Sequence, residues 1–181
     1  MKIFIDGSAG TTGLRIKDRL MKRSDVELTT LSEEQRKDTE SRKQALNSAQ
    51  VAFLCLPDAA AVESVELVEN PDTVIIDTST AHRTSEGWAY GFPELSAEFE
   101  DKIKNSKRIA VPGCHAGGFI ALVYPLVEAG VLGNDALLSC YSLTGYSGGG
   151  KKMIAEYESE DKSPLLFAPR QYGLTQQHKH L

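Results

Sequence analysis

Hydrophobic positions along the chain fall into short runs, separated by stretches in which apolar residues recur at helical spacing. The short runs are "KIFIDG" (2–7), "VELTTL" (26–31), "QVAFLCL" (50–56), "DTVIIDTS" (72–79) and "KRIAVPG" (107–113). Each reads as a buried strand. Between them lie "LRIKDRLMKR", with Leu14, Leu20 and Met21 available for one helix face, a polar helical region over 33–48, and a helix from Asp58 to about Glu69. A further helix is expected over 115–129. Strands alternating with helices predict βαβ units and an α/β fold, a doubly wound parallel sheet of Rossmann type.

After residue 133 the pattern changes. "DALLSCYSLTGYSGGGKK" reads as a long strand opening into a glycine-rich loop, and "PLLFAPRQYGLTQQHKHL" has loop and edge-strand features. The expected organisation is a dinucleotide-binding domain over 1–132, followed by the beginning of an α+β catalytic domain over 133–181. That second part reads as truncated, because the chain stops just after His178-Lys179-His180.

Composition narrows the partners. The 181 residues are 41% hydrophobic and 25% charged, enough to bury a core. A net charge of -5 leaves no general electrostatic footprint for nucleic acid. Asp6 interrupts the apolar start, and no uncharged run reaches the length of a membrane span, so a soluble, cytoplasmic protein without membrane partners is expected. Cys55, Cys114 and Cys140 match neither a disulfide framework nor a zinc pattern, which predicts reduced thiols and no metal.

Candidate chemistry begins at "DGSAGTTG". Gly7, Gly10 and Gly13 stand at three-residue spacing between a strand and a helix, where backbone N–H groups, with Ser8, Thr11 and Thr12, can receive a pyrophosphate. A glycine-rich turn serving only strand-to-helix geometry is the plain alternative. After the second strand, Arg36 and Lys37 could pair with a 2′-phosphate, which favours NADP(H) over NAD; solvated charges are the alternative. Pro57 and Asp58, closing the third strand, lie where ribose and nicotinamide should pass. Gly148, Gly149 and Gly150 with Lys151 could bring N–H groups and a cation to a substrate carboxylate or phosphate, or form a hairpin tip.

The cysteines separate by context. Cys55 in "AFLCL" and Cys140 in "LLSCYSL" sit on apolar strands and read as small core hydrophobes. Cys114 in "AVPGCHAGGF" sits at the predicted first turn of a helix, where the dipole lowers a thiol pKa and N–H groups can hold an oxyanion. Of the four histidines, His178 or His180 could reach the thiol from the second domain, His115 points elsewhere if it follows Cys114 on a helix and reads as a surface residue, and His82 adjoins Arg83 in a loop. His178 and His180 would share a face on a strand.

"IDGSAGTTG", "FLCLPDAAA", "DTSTAHR", "YGFPEL", "AVPGCHAGGFIALVYPL", "TGYSGGGKKM" and "YGLTQQHKHL", in this order, closely resemble the short bacterial type of N-acetyl-gamma-glutamyl-phosphate reductase. The resemblance covers essentially the whole chain. It implies an enzyme of arginine biosynthesis, related to aspartate-semialdehyde dehydrogenase, that reduces an acyl phosphate to an aldehyde with NADPH and releases phosphate. On this likeness Cys114 is the nucleophile that forms a thioester, and His178 or His180 the acid and base. Ser79 and Arg83 resemble a phosphate-binding loop. A homo-oligomer is expected. An aspartate-semialdehyde dehydrogenase type of reductase and a non-catalytic NADP-binding regulator are the competing readings.

Overall fold

The computed structural model describes residues 1–161, 163–169 and 171. Six strands, β1 (Lys2–Asp6), β2 (Glu27–Thr29), β3 (Val51–Leu54), β4 (Val74–Asp77), β5 (Ala89–Tyr90) and β6 (Arg108–Ala110), form one parallel sheet in the order β2-β1-β3-β4-β6-β5. The doubly wound parallel sheet read from the sequence is the fold observed. The α-helices among the described residues are α1 (Thr11–Leu20), α2 (Thr39–Ser48), α3 (Asp58–Glu66), α4 (Ala97–Asn105), α5 (Cys114–Glu128) and α6 (Gly150–Glu158).

The chain leaves β1 toward one edge and returns past it to β3, so the order reverses between β1 and β3. Open α/β sheets bind ligands outside the carboxyl ends of the strands at such a switch point. Phe4, Leu46, Ala52, Leu54, Ala61 and Ile75 form the core between the sheet and the helices α2 and α3. Register places Asp6 beside Leu54, Leu54 beside Asp77, Asp77 beside Ala110 and Ala110 beside Tyr90. Partners in parallel register share a face, so two buried acids and a tyrosine line one row at the carboxyl edge.

Both acids are compensated, as a buried carboxylate requires. Asp6 Oδ2 accepts from Arg42 Nε at 3.2 Å, Arg42 Nη2 at 3.1 Å and Ser64 Oγ at 2.9 Å, which ties the root of the glycine loop to α2 and α3. Asp38 caps α2 by accepting the Ser41 N–H, and Ser96 caps α4 by accepting the Phe99 N–H.

Three expectations change. The long strand over 135–145 is absent: the segment has no sheet partner among the described residues, and Leu137, Tyr141 and Leu143 stand exposed. Cys140 is accordingly exposed rather than part of a core. A strand forms only against another strand, and none of the described ones runs beside this segment. The glycines after it are not a hairpin tip: Tyr146–Gly149 is a 3-10 turn leading straight into α6. On α1 the apolar face is only partly used, because Gly13 is its buried residue while Leu14 and Met21 are exposed.

Candidate active site

Backbone geometry at the end of β1 explains the glycines. Gly7 has φ +83°, and a Cβ there would lie 2.2 Å from the Cys55 carbonyl oxygen; a Cβ on Gly13 would lie 2.5 Å from the Gly7 oxygen. Gly7 therefore lets the loop turn flat against the chain leaving β3, and Gly13 lets α1 start flat against the loop. The Gly10 N–H closes the turn on the Gly7 carbonyl at 3.0 Å. Gly10 is also the N-cap of α1, with no side chain capping the helix and no acid in its first turn. The first N–H groups of a helix have no intrahelical acceptor. Here they open at the sheet edge beside the exposed Thr11 and Thr12, with Ser8 half-buried in the loop. A close-fitting backbone cradle at an uncapped helix start fits a dinucleotide pyrophosphate.

Past β2, Ser32 and Gln35 cap each other: Ser32 Oγ accepts the Gln35 N–H, and Gln35 Oε1 accepts the Ser32 N–H. This fixes the 3-10 turn Gln35–Lys37 that carries Arg36 and Lys37. Lys37 is exposed. Arg36 is half-buried, and its Nε lies out of solvent without a hydrogen-bond partner among the described residues. Arg36 and Lys37 are thus two cations held side by side just past β2.

The second cluster lies at the ends of β4 and β6. Leaving β6, the chain runs through Val111, Pro112 and Gly113 into Cys114, the first residue of α5. Gly113 is its N-cap, again without side-chain capping, and Cys114 is exposed. Arg83 lies against this turn. Its Nε donates to the Val111 carbonyl at 3.0 Å, and a Cβ built on Gly113 would sit 2.6 Å from Arg83 Nη1. A guanidinium thus lies against the residue that precedes the exposed Cys114, at the uncapped start of a helix.

The loop holding Arg83 is pinned at both ends. Asp77 accepts the Ser79 N–H at 2.9 Å, the Ser79 hydroxyl at 2.6 Å and bonds His82 Nδ1 at 2.7 Å. Ser79 Oγ also accepts the Ala81 N–H, so its hydroxyl holds the loop and does not face outward. Asp58, at the start of α3 just after its N-cap Pro57, accepts the Thr80 N–H at 2.9 Å and the Thr80 hydroxyl at 2.6 Å.

Cys55, which lies at the switch point, is a poor reagent: burial pushes its thiol up to about 11. Tyr90, one register step from Ala110, has its hydroxyl buried without a partner among the described residues, and burial raises its phenol with the Arg83 charge opposing. Asp77 and Tyr90 were not singled out by the sequence. Their importance comes from strand register, which no local motif displays. His115 turns to Ser142, with Nδ1 2.5 Å from its Oγ. Gly149 is the N-cap of α6 and Lys151 lies in its first turn. His178 and His180 fall outside the described residues.

Gly7 and Cys114 lie at the ends of β1 and β6, three strand spacings apart, or roughly 14 Å along the sheet edge. That separation suits an extended ligand whose phosphates sit at one end and whose reactive ring reaches the other. The sequence of residues 2–105 matches the family model for the semialdehyde dehydrogenase NAD binding domain. The chain belongs to the semialdehyde dehydrogenase family. Residues 114–181 match the dimerisation domain of the same family. Among curated relatives, N-acetyl-gamma-glutamyl-phosphate reductase of Chelativorans sp. is 53% identical over 99% of this chain. N-acetyl-gamma-glutamyl-phosphate reductase 2 of Pseudomonas putida is 48% identical over the same share. The chain spans 57% of the length of each. Aspartate semialdehyde dehydrogenase from Francisella tularensis superposes with a TM-score of 0.57 at 20% identity, over 86% of this chain and 48% of that one. The likeness read from the seven motifs is thus matched by named relatives, and the fold by a solved aspartate semialdehyde dehydrogenase. Among the described residues no helix is long and apolar enough to cross a membrane.

Proposed function

We propose that this chain carries the nucleotide-binding and nucleophile-bearing part of an NADPH-dependent reductase that converts N-acetyl-gamma-glutamyl phosphate to the semialdehyde and phosphate. The observation that carries this reading is the Arg83 guanidinium lying against the turn that presents Cys114. An acyl phosphate needs a nucleophile for its carbon and a cation for its leaving group, and here the cation lies against the residue that precedes the nucleophile. Cys114 Sγ attacks the acyl carbon, the C–O bond to phosphate breaks with its electron pair leaving on the phosphate, and a thioester forms. Arg83 neutralises the departing anion in the planar geometry a guanidinium favours. The N–H groups at the start of α5 stabilise charge on the acyl oxygen. When bound, NADPH supplies a hydride. The thiolate of Cys114 is then released as the aldehyde leaves, and His178 or His180, by family likeness, manages the proton. The Gly7–Gly13 cradle holds the pyrophosphate, with Arg36 and Lys37 toward the 2′-phosphate.

Chemical labelling tests the pairing directly. With iodoacetamide near pH 7 and peptide mass analysis, Cys114 should alkylate readily and inorganic phosphate should slow it, because the anion would occupy Arg83 at the same turn. Cys140, exposed elsewhere, shows no phosphate protection. Cys55 is the slow thiol: a pKa of about 11 leaves it with a thiolate fraction on the order of 10⁻⁴ at neutral pH. Phosphate that protects neither Cys114 nor any other thiol would remove the proposed anion site.

Cofactor preference has its own test. Arg36→Gln should weaken NADPH binding by about tenfold while leaving NADH binding within twofold, since only the former has a 2′-phosphate to lose. Equal weakening of both would place Arg36 outside the 2′-phosphate contact. A homo-oligomer is also proposed: the segment matching the dimerisation domain exposes Leu122, Val131, Leu137, Tyr141 and Leu143, the kind of apolar surface a second copy would cover.

A further inference from the structure

The Asp77, His82 and Arg83 arrangement contains a closed circuit of bonds. The Asp77 backbone carbonyl accepts the Val111 N–H at 2.8 Å, and the Val111 carbonyl accepts Arg83 Nε at 3.0 Å. Arg83 follows His82 in the chain, and His82 Nδ1 returns to Asp77 Oδ2 at 2.7 Å. One buried acid therefore holds the catalytic turn through its backbone and the phosphate loop through its side chain. The imidazole is fixed on a second side by Trp88, stacked at 4.1 Å between ring centroids and 11° between planes. Asp77 is fully buried and the His82 side chain is 10% exposed, so the ring reaches neither solvent nor substrate freely.

A ring so enclosed is badly placed to exchange protons with a substrate and well placed to fix its neighbour. We infer that His82 is a positioning residue for the phosphate end of the substrate: it aims Arg83 at the Cys114 turn by closing the Asp77–Val111–Arg83 circuit. The inference rests on the reading of Arg83 as the phosphate ligand. A guanidinium on a long side chain loses much of its rotamer freedom only when its backbone and its Nε are both held. Val111 holds the Nε; His82 holds the backbone. Without the imidazole donor, Asp77 keeps the Ser79 bonds but the residue before Arg83 is released.

The experiment uses two substitutions that each preserve a different half of the contact. His82→Phe keeps a ring to stack on Trp88 and loses the bond to Asp77. His82→Asn keeps a donor at the same branch position and loses the stack. For each, the readout is the inorganic phosphate concentration that half-protects Cys114 from iodoacetamide, with NADPH affinity measured by fluorescence on the same sample. His82→Phe should raise the half-protecting concentration by about tenfold, the size of one lost charge-assisted bond, with NADPH affinity within twofold. His82→Asn should stay within about threefold of the parent, because the circuit remains closed. A purely structural role would weaken phosphate and NADPH together, and that outcome overturns the assignment, as does an unchanged His82→Phe. If the Phe variant does not fold, a tenfold loss in His82→Asn overturns it and retained protection supports it. Arg83→Ala separates the two readings: if it leaves protection unchanged, the phosphate role of Arg83 falls and takes this one with it. If Arg83→Ala abolishes protection while His82→Phe does not, only the role of His82 fails.

Discussion

Cys114→Ser should lower NADPH-dependent turnover of the acyl phosphate by at least about 10³-fold, in the protein carrying this sequence, while leaving NADPH affinity within about twofold. That loss corresponds to roughly 4 kcal/mol in the barrier. The reason lies in both halves of the reaction. A serine hydroxyl is protonated throughout the accessible pH range, so it attacks the acyl carbon poorly. An oxygen ester, if it formed, would also accept hydride less readily than a thioester. Cofactor affinity should hold, because the pyrophosphate cradle lies three strands away and the substitution leaves the backbone at the start of α5 intact. The measurement is initial-rate oxidation of NADPH at saturating cofactor, paired with a binding titration. Residual turnover above a tenth of the parent would assign the nucleophile elsewhere.

Cys114 is legible in the sequence because its signal is local. Pro112 and Gly113 stop the strand, and the apolar run that follows starts the helix, so a thiol at that junction must sit on a helix N-terminus. Gly7, Gly10 and Gly13 were legible for the same reason. Strand β5 was not: two residues, Ala89 and Tyr90, are too few to display a period, and they become a strand only by pairing with β6. Helix α4 had a readable start in Ser96 and a charged pattern with Glu98–Lys102 and Glu100–Lys104 pairs, yet its apolar positions are too sparse to stand out. The expected strand over 135–145 failed in the opposite way. Its apolar residues promised a strand, but pattern supplies no partner. Asp77, His82 and Trp88 are brought together by strand order and loop closure, and nothing in "DTSTAHR" alone says that its serine faces inward while its arginine reaches across to Val111.

Gly7→Ala should be the most damaging small substitution in the nucleotide loop, costing roughly 3–5 kcal/mol and lowering the melting temperature by about 8–15 °C for a chain of this size. Two effects combine. Gly7 has φ +83°, where a side chain costs roughly 1–2 kcal/mol by itself. A Cβ would also stand 2.2 Å from the Cys55 carbonyl oxygen and 2.8 Å from its carbon, both backbone atoms. Relief requires moving the chain leaving β3 away from β1, yet the Cys55 N–H is bonded to the Asp6 carbonyl at 2.8 Å, one residue before the clash. The overlap therefore strains the same ladder that carries the cradle, and NADPH affinity should fall with stability. Gly10→Ala is the internal control. Its nearest neighbour would be the Gly7 oxygen at 3.4 Å, an ordinary contact, and its φ of -79° suits any residue. That change should cost no more than about 1 kcal/mol. Thermal melts of the two variants side by side decide the matter: if Gly7→Ala melts within about 3 °C of Gly10→Ala, the loop does not press against Cys55, and the pyrophosphate cradle at the β1–β3 switch point loses its physical basis.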